Sequence, residues 1–459
     1  MYITTAIDYV NAKPHIGHAF EKVLADAIAR FHRLNGENVY FLTGTDENAT
    51  KNVQAAKAAN LPVQTFIDQN AQVFIDLCKS LNLSNDRFIR TSEAEHHHHC
   101  QLIFQQLFNK GYIYKGFYKG LYCPGCEAYV TEKDLVNGNC PEHDKPPIAT
   151  EEECYFFKIQ EFVPRIKEFV ETHVIPKFRA NEILVRLEEP VLDLPVSRKN
   201  TGWGIPTPVD SNHTIYVWFD ALINYWHGGW GEWPPVHVIG KGINWFHSVI
   251  WPAMLFGYGA KLPKSILVHG YLNLGGKKIS KSLGNTIDPQ ELIARYGTDA
   301  VRYSLLRCST FQDADYSEDL LVERYNTDLA NKFGNLVSRV ATLVEKYGTE
   351  PTDLFPIPVL DTALIELFDF QIDKMIAEIM GYVESCNEYI DKTKPWETKD
   401  KKALYKLLNA IKDITILLWP FIPGSCEIIA KKLGFEIDRK SPPITTCSKI
   451  QPVFKRIGQ

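Results

Sequence analysis

YITTAIDYVNAKPHIGH (residues 2–18) and the apolar run at residues 39–43 decide the fold. Residues 2–7 have the composition of a strand, residues 14–35 have the pattern of a helix, and residues 39–43 suit a buried strand. A strand, a helix and a second buried strand in this order form a βαβ unit, whose two strands lie parallel in one sheet. The sequence therefore predicts an α/β protein built on a parallel sheet.

Length and composition narrow the class of protein. The chain has 459 residues, of which 45% are hydrophobic and 23% charged, and its net charge is −5. This length predicts several domains, and a negative net charge argues against a protein that coats nucleic acid without excluding local basic patches. No apolar run is long enough to span a bilayer, and the chain enters a strand-like segment at once without a targeting signal. We therefore expect no membrane and a cytoplasmic location.

Changes in pattern along the chain suggest how it is divided. The strand and helix alternation of the first part gives way to a segment rich in Cys, Gly and Pro, and it resumes with a predicted strand at residues 215–219. The last part is helical almost throughout. We predict these segments: 1–115, the first half of a Rossmann-like domain; 116–200, an insertion; 201–265, the second half; 266–318, a glycine- and lysine-rich loop with a linker; and 319–459, an all-α bundle.

The tetrapeptide His15-Ile16-Gly17-His18 is a candidate phosphate site. It follows Pro14, which lacks an N–H and suits a first helical turn. A helix that starts there offers backbone N–H groups and the positive end of its dipole to an anion. His15 and His18 share a face and can donate to phosphate oxygens, while Gly17 lets a flat ring approach the backbone. The alternative interpretation is a capped helix with two surface histidines.

A second candidate phosphate segment follows Gly275-Gly276 and contains Lys278, Ser280 and Lys281. A lysine on a mobile, glycine-rich loop can hold a pyrophosphate as it leaves. A solvated basic loop is the alternative for this segment alone. Together, the two motifs indicate ATP-dependent adenylate formation.

Cysteine spacing predicts a metal site in the insertion. Cys123 and Cys126 form one turn, and Cys140 and His143 form a second turn thirteen residues later. Three thiolates and one imidazole make a closed tetrahedral set, so we predict one structural zinc ion rather than a catalytic metal. The run of four histidines at 96–99 points in several directions on a helix, and we interpret it as a surface run.

The two phosphate motifs resemble the signature of class I aminoacyl-tRNA synthetases, and the sequence around them is similar to the methionyl-tRNA synthetase family. The resemblance is carried by VSR at 196–198, WGIP at 203–206, WFDALINY at 218–225, IGK at 239–241, and FH at 246–247 with WPA at 251–253. It extends from residue 6 to about residue 396. As a set, these motifs are highly specific.

The resemblance implies a methionine–tRNA ligase, which forms methionyl-adenylate and pyrophosphate from methionine and ATP with magnesium, then transfers methionine to the 3′ end of methionine tRNA. His15, His18, Lys278 and Lys281 would be catalytic, and Gly17, Gly240 and Ser280 would join them in binding ATP. Gly242 stands where the family usually has an aspartate that contacts the ATP ribose, and Asn48 replaces a customary histidine.

An aromatic pocket would hold the methionine side chain, because sulfur packs well against aromatic rings. Asp46 ends a buried strand, where open α/β sheets bind ligands, and its carboxylate would hold the substrate ammonium. The alternative is that these aromatic residues are ordinary core. The predicted methionine-binding residues are Ala6, Ile7, Tyr9, Asp46, Trp218, Ala221, Leu222, Tyr225, Phe246, His247 and Trp251.

At the RNA end, the resemblance assigns Asn335, Arg339 and Trp396 to the CAU anticodon. An amide, a guanidinium and an indole can read and stack unpaired bases; the alternative is a surface ion pair for Arg339 and a packing role for Trp396. The chain stops soon after the bundle, so we expect a monomer. Competing hypotheses are a class I synthetase for another amino acid, an adenylate-forming enzyme that does not use tRNA, and a non-catalytic zinc-containing RNA-binding protein.

Overall fold

The computed structural model describes residues 1–141, 144–227, 234–279, 286–355 and 370–458. Its strands are β1 (Tyr2–Tyr9), β2 (Tyr40–Asp46), β3 (Arg87–Arg90), β4 (Ile113–Cys123), β5 (Ala128–Val130), β6 (Ile148–Phe157), β7 (Val174–Ile175), β8 (Leu194–Pro195), β9 (Ser197–Lys199), β10 (His213–Ile215), β11 (Pro235–Gly240), β12 (Ser265–His269), β13 (Leu272–Leu274), β14 (Lys277–Lys278) and β15 (Ala314–Asp315).

The helices alternate with these strands and then continue without them. In chain order they are α1 (Ile16–Leu34), α2 (Thr50–Ala58), α3 (Val63–Ser80), α4 (Ala94–Asn109), α5 (Val163–His173), α6 (Lys177–Arg186), α7 (Val217–His227), α8 (Trp251–Tyr258), α9 (Pro289–Tyr296), α10 (Thr298–Leu306), α11 (Glu318–Arg324), α12 (Asn335–Tyr347), and the helices Ile372–Thr393, Pro395–Thr398, Lys401–Leu418 and Pro423–Leu433. Two π-helical segments, Phe246–Ile250 and Tyr325–Gly334, lead into α8 and α12.

The centre of the fold is a six-stranded sheet with the order β3-β2-β1-β11-β12-β7. Its paired neighbours are all parallel. The chain runs outward from β1 to β3 on one side and later returns to β11 on the other, so the strand order reverses between β1 and β11. Ligands of open parallel sheets bind outside the carboxyl ends of the strands at this kind of reversal. The predicted class, a Rossmann-like parallel-sheet protein with a helical C-terminal region, is confirmed.

α1 leaves β1 at the reversal point. It begins at Ile16, two residues beyond the predicted start at Pro14, because His15 keeps an extended backbone (φ −126°, ψ 175°) and caps the helix. Every residue from Ala19 to His32 is buried. The charged side chains along this helix therefore need buried partners.

A buried ion pair ties α1 to the C-terminal helices. Arg302 of α10 and Asp26 of α1 are both fully buried, and Nη2 lies 2.8 Å from Oδ2. The same guanidinium donates to three backbone carbonyl oxygens at 2.9–3.0 Å, those of Leu81, Pro420 and Phe421. The apolar residues of α1 also belong to the same hydrophobic core as the helices beyond residue 318.

The segment between β3 and β11 builds a second, antiparallel sheet with the order β5-β4-β6-β8. β4 and β6 pair over their whole length, from Ile113 opposite Phe157 to Tyr122 opposite Ile148. Within the predicted insertion, 116–200, the short strand β7 returns to the central sheet and pairs with β12. This segment therefore leaves the central sheet and rejoins it before residue 200.

The predicted strand at residues 215–219 is wrong from its second residue onward. β10 ends at Ile215, and α7 starts at Val217. The sequence VWFDALINYWH is apolar on nearly every side, and such a run suits a buried helix as well as a buried strand. Across the described ranges, no helix has both the length and the apolar character that crossing a membrane requires.

Candidate active site

A cleft of about 1190 Å³ opens at the carboxyl ends of three strands of the central sheet. Ile7, Asp8 and Tyr9 end β1, Asp46 ends β2 and Gly240 ends β11, and all five residues line the cleft. The cleft thus lies at the point where the strand order reverses, which is the expected ligand site of this topology.

Two histidines at the start of α1 face this cleft. The backbone N–H of Gly17 donates to Nδ1 of His15 at 3.1 Å, and the backbone N–H of His15 donates to Nδ1 of His18 at 2.9 Å. Because both Nδ1 atoms accept, the proton of each neutral ring must be on Nε2. The ring centroids are 3.9 Å apart, so the backbone fixes two adjacent N–H donors at the positive end of a helix.

Gly17 makes room for the His15 ring, and its predicted contact with the flat ring of a ligand stays a prediction. A Cβ at this position would lie 2.9 Å from Cε1 of His15. The flat ring that approaches the backbone here is therefore the His15 imidazole itself. A side chain at position 17 would displace the cap that fixes the tautomer of His15.

An ion pair lies beneath His18. Asp8 Oδ1 is 3.9 Å from His18 Nε2, and Asp8 Oδ2 is 2.5 Å from Nζ of Lys22. Burial alone would lower the pKa of Lys22, whose side chain has no exposed surface, but Asp8 together with Cys78 and Glu21 outweighs burial and the pKa is raised. Lys22 therefore stays cationic and neutralises an acid that would otherwise repel a phosphate.

A second acid lies under the end of β11. Glu21 Oε1 accepts the backbone N–H of Ala6 at 2.9 Å, and Oε2 lies 3.0 Å from Nε2 of His269. His269 donates through Nδ1 to the carbonyl oxygen of Gly270 at 2.7 Å. Because Nδ1 already carries a proton, a hydrogen bond between Nε2 and Oε2 requires a second proton, which belongs either to the imidazole or to the carboxyl group. In both cases the pair as a whole has no net charge.

Aromatic rings form the wall opposite the histidines. The ring of Trp218 stacks on Phe246 with centroids 3.7 Å apart and planes 8° from parallel, and the edge of Tyr9 meets Trp218 at 6.3 Å. Nε1 of Trp218 donates to the carbonyl oxygen of Cys126 at 3.1 Å. Nζ of Lys51 lies 3.2 Å from the centroid of the Tyr9 ring. The wall is therefore apolar toward the cleft and anchored by polar contacts behind it.

Two neutral histidines support this wall: His247 lines the cleft and His237 lies behind it. His247 donates through Nδ1 to a backbone carbonyl oxygen at 3.1 Å, so its Nε2 accepts the hydroxyl proton of Tyr225 at 2.7 Å. Trp251 donates from Nε1 to Nε2 of His237 at 3.2 Å, and His237 donates from Nδ1 to Thr4 at 2.7 Å. Burial lowers the pKa of His247 to about 4 and that of His237 well below its usual value.

Asp46 is the buried acid of the cleft, only 2% exposed. Burial raises its pKa well above the usual value, the nearby Asp220 raises it further, and Lys51 opposes the shift. Among the described residues, Oδ1 of Asp46 receives no hydrogen bond. The ionised form of Asp46 is therefore unfavourable in the empty cleft, and a bound cation would stabilise it.

His96 departs from the surface run predicted for residues 96–99. It is fully buried, with Nε2 3.7 Å from Oδ1 of Asp220. Burial lowers its pKa to about 3. The reason is helical periodicity: α4 turns position 96 inward and leaves His98 exposed.

The cysteines converge as predicted. The sulfur atoms of Cys123, Cys126 and Cys140 lie within 4.8 Å of one another, and those of Cys126 and Cys140 are 3.5 Å apart. A tetrahedral ion with metal–sulfur bonds of about 2.3 Å separates its sulfur ligands by roughly 3.8 Å, so the three thiols fit one metal site. His143, the predicted fourth ligand, lies outside the described residues.

The cysteine turn is bonded to the wall of the cleft through Glu127, which is 2% exposed and has a positive φ of 52°. Its Oε1 accepts the backbone N–H of Lys51 at 2.8 Å, and its backbone carbonyl oxygen accepts the hydroxyl of Tyr216. Ala49, at the N-cap of α2, supplies no side-chain cap. Glu127 therefore caps α2 from a distant turn and holds it beside Asp46.

The structure brings most of the predicted site together. Every residue predicted for the methionine pocket lines the cleft except Trp251, which lies behind it, and His15, His18 and Gly240 line the same cleft. Ser280 and Lys281 lie outside the described residues, and for Lys278 the structure describes the backbone alone, in β14.

The three residues predicted for the RNA end lie in the helical region, away from the cleft lining. Cζ of Arg339 is 5.4 Å from the ring centroid of Trp396, which is 38% exposed, and Asn335 is exposed one turn earlier on α12. Arg339 also pairs with Asp391 at 2.8 Å. The ion pair of the alternative interpretation is therefore present, and the anticodon role of Asn335, Arg339 and Trp396 stays a prediction.

Sequence analysis did not single out Glu21, Lys22, Lys51 or Glu127. Glu21 and Lys22 interrupt an otherwise apolar stretch of α1, and a charge in such a stretch signals a buried partner or a site. Glu127 follows a metal-type cysteine turn directly. No sequence pattern connects Lys51 to Glu127, because their contact spans 76 positions.

Comparisons with known proteins agree with this arrangement. A family profile described as "tRNA synthetases class I (M)" matches residues 1–146 and 133–341. The methionine–tRNA ligase of Thermotoga maritima is 39% identical over 99% of this chain and 80% of its own length, and that of Rickettsia conorii is 39% identical over 94% and 92%.

The chain belongs to the methionine–tRNA ligase family. Its fold is also that of solved members of the family. Mycobacterium tuberculosis methionyl-tRNA synthetase in complex with methionyl-adenylate matches with a TM-score of 0.91 and 35% identity, covering 99% of both chains. The apo form of that synthetase matches with a TM-score of 0.83 and 32% identity, covering 100% of this chain and 98% of the other.

Proposed function

We propose that this chain activates methionine with ATP, forming methionyl-adenylate and pyrophosphate, and then transfers methionine to the 3′ end of methionine tRNA. The observation that carries the proposal is the meeting of two features in one cleft. His15 and His18, with Nε2–H donors fixed by the backbone, lie opposite an aromatic pocket in a chain of the methionine–tRNA ligase family.

In the first step, the methionine carboxylate attacks the α-phosphate of ATP in line, and pyrophosphate leaves with magnesium. No protein nucleophile is needed. Nε2–H of His15 and His18 donates to phosphate oxygens as charge grows in the transition state. We assign Gly17 and Gly240 to the same ATP site, Gly17 because it leaves room for the His15 ring and Gly240 because it ends β11 at the cleft.

Lys278, Ser280 and Lys281 complete the proposed phosphate site. A lysine ammonium from this segment would bind the leaving pyrophosphate. Lys281 is the main partner, and Lys278 supports it. The hairpin β13–β14, in which Leu274 pairs with Lys277, leads directly into this tract.

Asp46 takes the substrate ammonium in this proposal. Burial and Asp220 disfavour its anion in the empty cleft. An ammonium within about 4–6 Å favours the ionised carboxylate, so binding of the substrate removes the unfavourable state. The interaction is specific for a cationic amino group, because a neutral substrate would leave the acid uncompensated.

The side chain of methionine would lie against Trp218 and Phe246, with Ala6, Ile7, Tyr9, Ala221, Leu222, Tyr225 and His247 around it. Tyr225 and His247 hydrogen-bond to each other, and Trp251 bonds to His237 behind them. The rings therefore stay fixed and offer polarizable faces to sulfur. One methylene changes binding by only about 1–3 kcal/mol, so selectivity comes from shape together with the sulfur contacts.

The metal site would hold one zinc ion through Cys123, Cys126, Cys140 and His143. Bound there, zinc supplies a structural cross-link between the two turns and no activated water, because four protein ligands fill its tetrahedron. Two residues at the first cysteine turn connect the metal site to the cleft. The carbonyl oxygen of Cys126 accepts the indole N–H of Trp218, and the Glu127 carboxylate accepts a backbone N–H of α2.

At the other end of the molecule, Asn335, Arg339 and Trp396 would bind the CAU anticodon. The half-exposed indole and the guanidinium beside it present flat surfaces on which unpaired bases stack. Arg339 would have to exchange Asp391 for the RNA. We expect the chain to act as a monomer.

Methionine-dependent exchange between ATP and labelled pyrophosphate tests the function, followed by charging of methionine tRNA. We expect exchange with methionine well above that with leucine or isoleucine, and charging that requires the CAU anticodon. Exchange driven by another amino acid would assign a different specificity, exchange without charging would assign an adenylate-forming enzyme, and no exchange would leave a non-catalytic protein.

A further inference from the structure

A stacked pair of side chains at the cleft is used by nothing described so far. Cζ of Arg186, the last residue of α6, lies 4.0 Å from the ring centroid of Trp245. The Trp245 ring is half-buried, whereas the Arg186 side chain is 53% exposed. The guanidinium carbon therefore lies over the indole, Nη2 also pairs with Oδ1 of Asp134 at 3.4 Å, and about half of the Arg186 side chain stays exposed.

This stack belongs to the same cleft as the candidate active site, since Arg186 and Trp245 both line it. Trp245 directly precedes Phe246, the ring that stacks on Trp218. Arg186 comes from the segment that also builds the antiparallel sheet, on the cysteine-rich side of the cleft. Lys145 and Asp134 line the cleft on that side as well, so this part of the rim combines flat surfaces with two cations and with one acid that pairs with Arg186.

We propose that Arg186 and Trp245 form a stacking platform for an unpaired base near the 3′ end of the tRNA. This inference rests on the function proposed above, in which the 3′ ribose hydroxyl must reach the adenylate inside the cleft. The unpaired end of the RNA then has to pass the rim. Unpaired bases bind by stacking on aromatic rings and guanidinium planes, and the neighbouring phosphates favour cations such as Arg186 and Lys145.

Two variants separate stacking from charge. Trp245→Leu keeps apolar volume and removes the ring, while Arg186→Lys keeps the positive charge and removes the plane. Phe256→Leu is the matched control, because Arg165 lies 3.8 Å from the Phe256 ring centroid and neither of these two residues lines the cleft. Pyrophosphate exchange needs no tRNA, so it reports the small-substrate sites alone.

We expect exchange in both variants to stay within about twofold of wild type in the KM for methionine and for ATP. Charging of tRNA should fall roughly 5- to 150-fold in kcat/KM for Trp245→Leu, which is the range expected for one lost base stack. Arg186→Lys should show part of this loss, and Phe256→Leu none. Because the Arg186 side chain is exposed, Arg186→Lys should fold normally. It therefore still tests the platform if Trp245→Leu fails to fold.

A trimmed tRNA locates the contact. Full-length tRNA should bind Trp245→Leu and Arg186→Lys more weakly than wild type, whereas tRNA without its last three nucleotides should bind all three proteins equally. Unchanged charging, or a difference that persists with trimmed tRNA, would overturn the platform. A rise in the KM for ATP that matches the charging loss would assign the stack to the adenine of ATP. If wild type shows no exchange, the proposed function is refuted. The comparison of full-length with trimmed tRNA would then still test whether the platform binds the 3′ end.

Discussion

Replacing His15 separates its structural role from its catalytic one. The imidazole does two things at once: Nδ1 accepts the backbone N–H of Gly17, and the ring presents Nε2–H at the cleft. His15→Asn keeps the first function, because asparagine is among the best N-cap residues and its side-chain oxygen accepts the same kind of bond. It removes the second function, because the shorter side chain carries no donor to the place of Nε2.

The two roles differ in size. Loss of an N-cap costs about 0.5–2 kcal/mol of stability, and His15→Asn should lose only a small part of that. Loss of one donor to a developing oxyanion costs about 2.7–4 kcal/mol in the transition state, or roughly 10²- to 10³-fold in kcat. His15→Ala loses both contributions, so it should show the same fall in rate and a lower melting temperature.

Methionine-dependent pyrophosphate exchange gives the rate, and thermal unfolding followed by circular dichroism gives the stability. We expect His15→Asn to melt close to wild type while its kcat falls by two to three orders of magnitude, with the KM for methionine nearly unchanged. If His15→Asn keeps more than a tenth of the wild-type rate, His15 acts only as a helix cap. A fall in rate that follows the melting temperature across both variants would lead to the same conclusion.

Two further substitutions test the supports of the site. Trp218→Phe keeps a ring on Phe246 but removes the donor to Cys126; the KM for methionine in exchange should rise about 2- to 10-fold while that for ATP stays constant, and an equal rise in both would count against the pocket. Asp26→Asn leaves two buried guanidiniums undercompensated and should cost about 3–5 kcal/mol in denaturant unfolding at pH 7. Burial would raise the pKa of Asp26, but Arg302 and Arg30 hold it below its usual value, so its stabilisation is complete above pH ~4 and is lost as pH falls further. Wild type should therefore lose more stability than the variant between pH 5 and pH 2, and parallel acid curves would refute this assignment.

Strands β1 and β2 of the central sheet were predictable because each has a local sequence signal. β1 is buried over its first five residues and β2 over all but its first, and β2 opens with the apolar run Tyr40-Phe41-Leu42. α7 was not predictable by the same rule, since VWFDALINYWH is apolar enough for either structure and only its surroundings make it a helix. The start of α1 was missed by two residues because a histidine, which is an unusual N-cap, takes the place that Pro14 seemed to mark.

The site shows the same division between local and distant information. Sequence spacing predicted the three cysteines and the pair of histidines, because the histidines share one helical turn and the cysteines come from two turns with metal-type spacing. Spacing carried no trace of the bond between Glu127 and Lys51, or of the bond between Trp218 and Cys126, which join residues 76 and 92 positions apart. Such contacts exist only once the second sheet has folded against the first, and they connect the metal turn to the amino-acid pocket.

The buried ion pair between Asp26 and Arg302 limits which parts of the cleft can move. α1 carries His15 at one end and Asp26 in its buried middle, where Arg302 joins it to the backbone at Pro420 and Phe421. Separating this buried pair would cost several kcal/mol, so we expect α1 and the C-terminal helices to move as one unit. The four partners of Arg302 all lie outside the antiparallel sheet and the hairpin β13–β14. We therefore expect any closure around ATP to come from that sheet or that hairpin approaching α1, so that substrates protect amides in β4, β6 and β13 from hydrogen exchange more than those in α1.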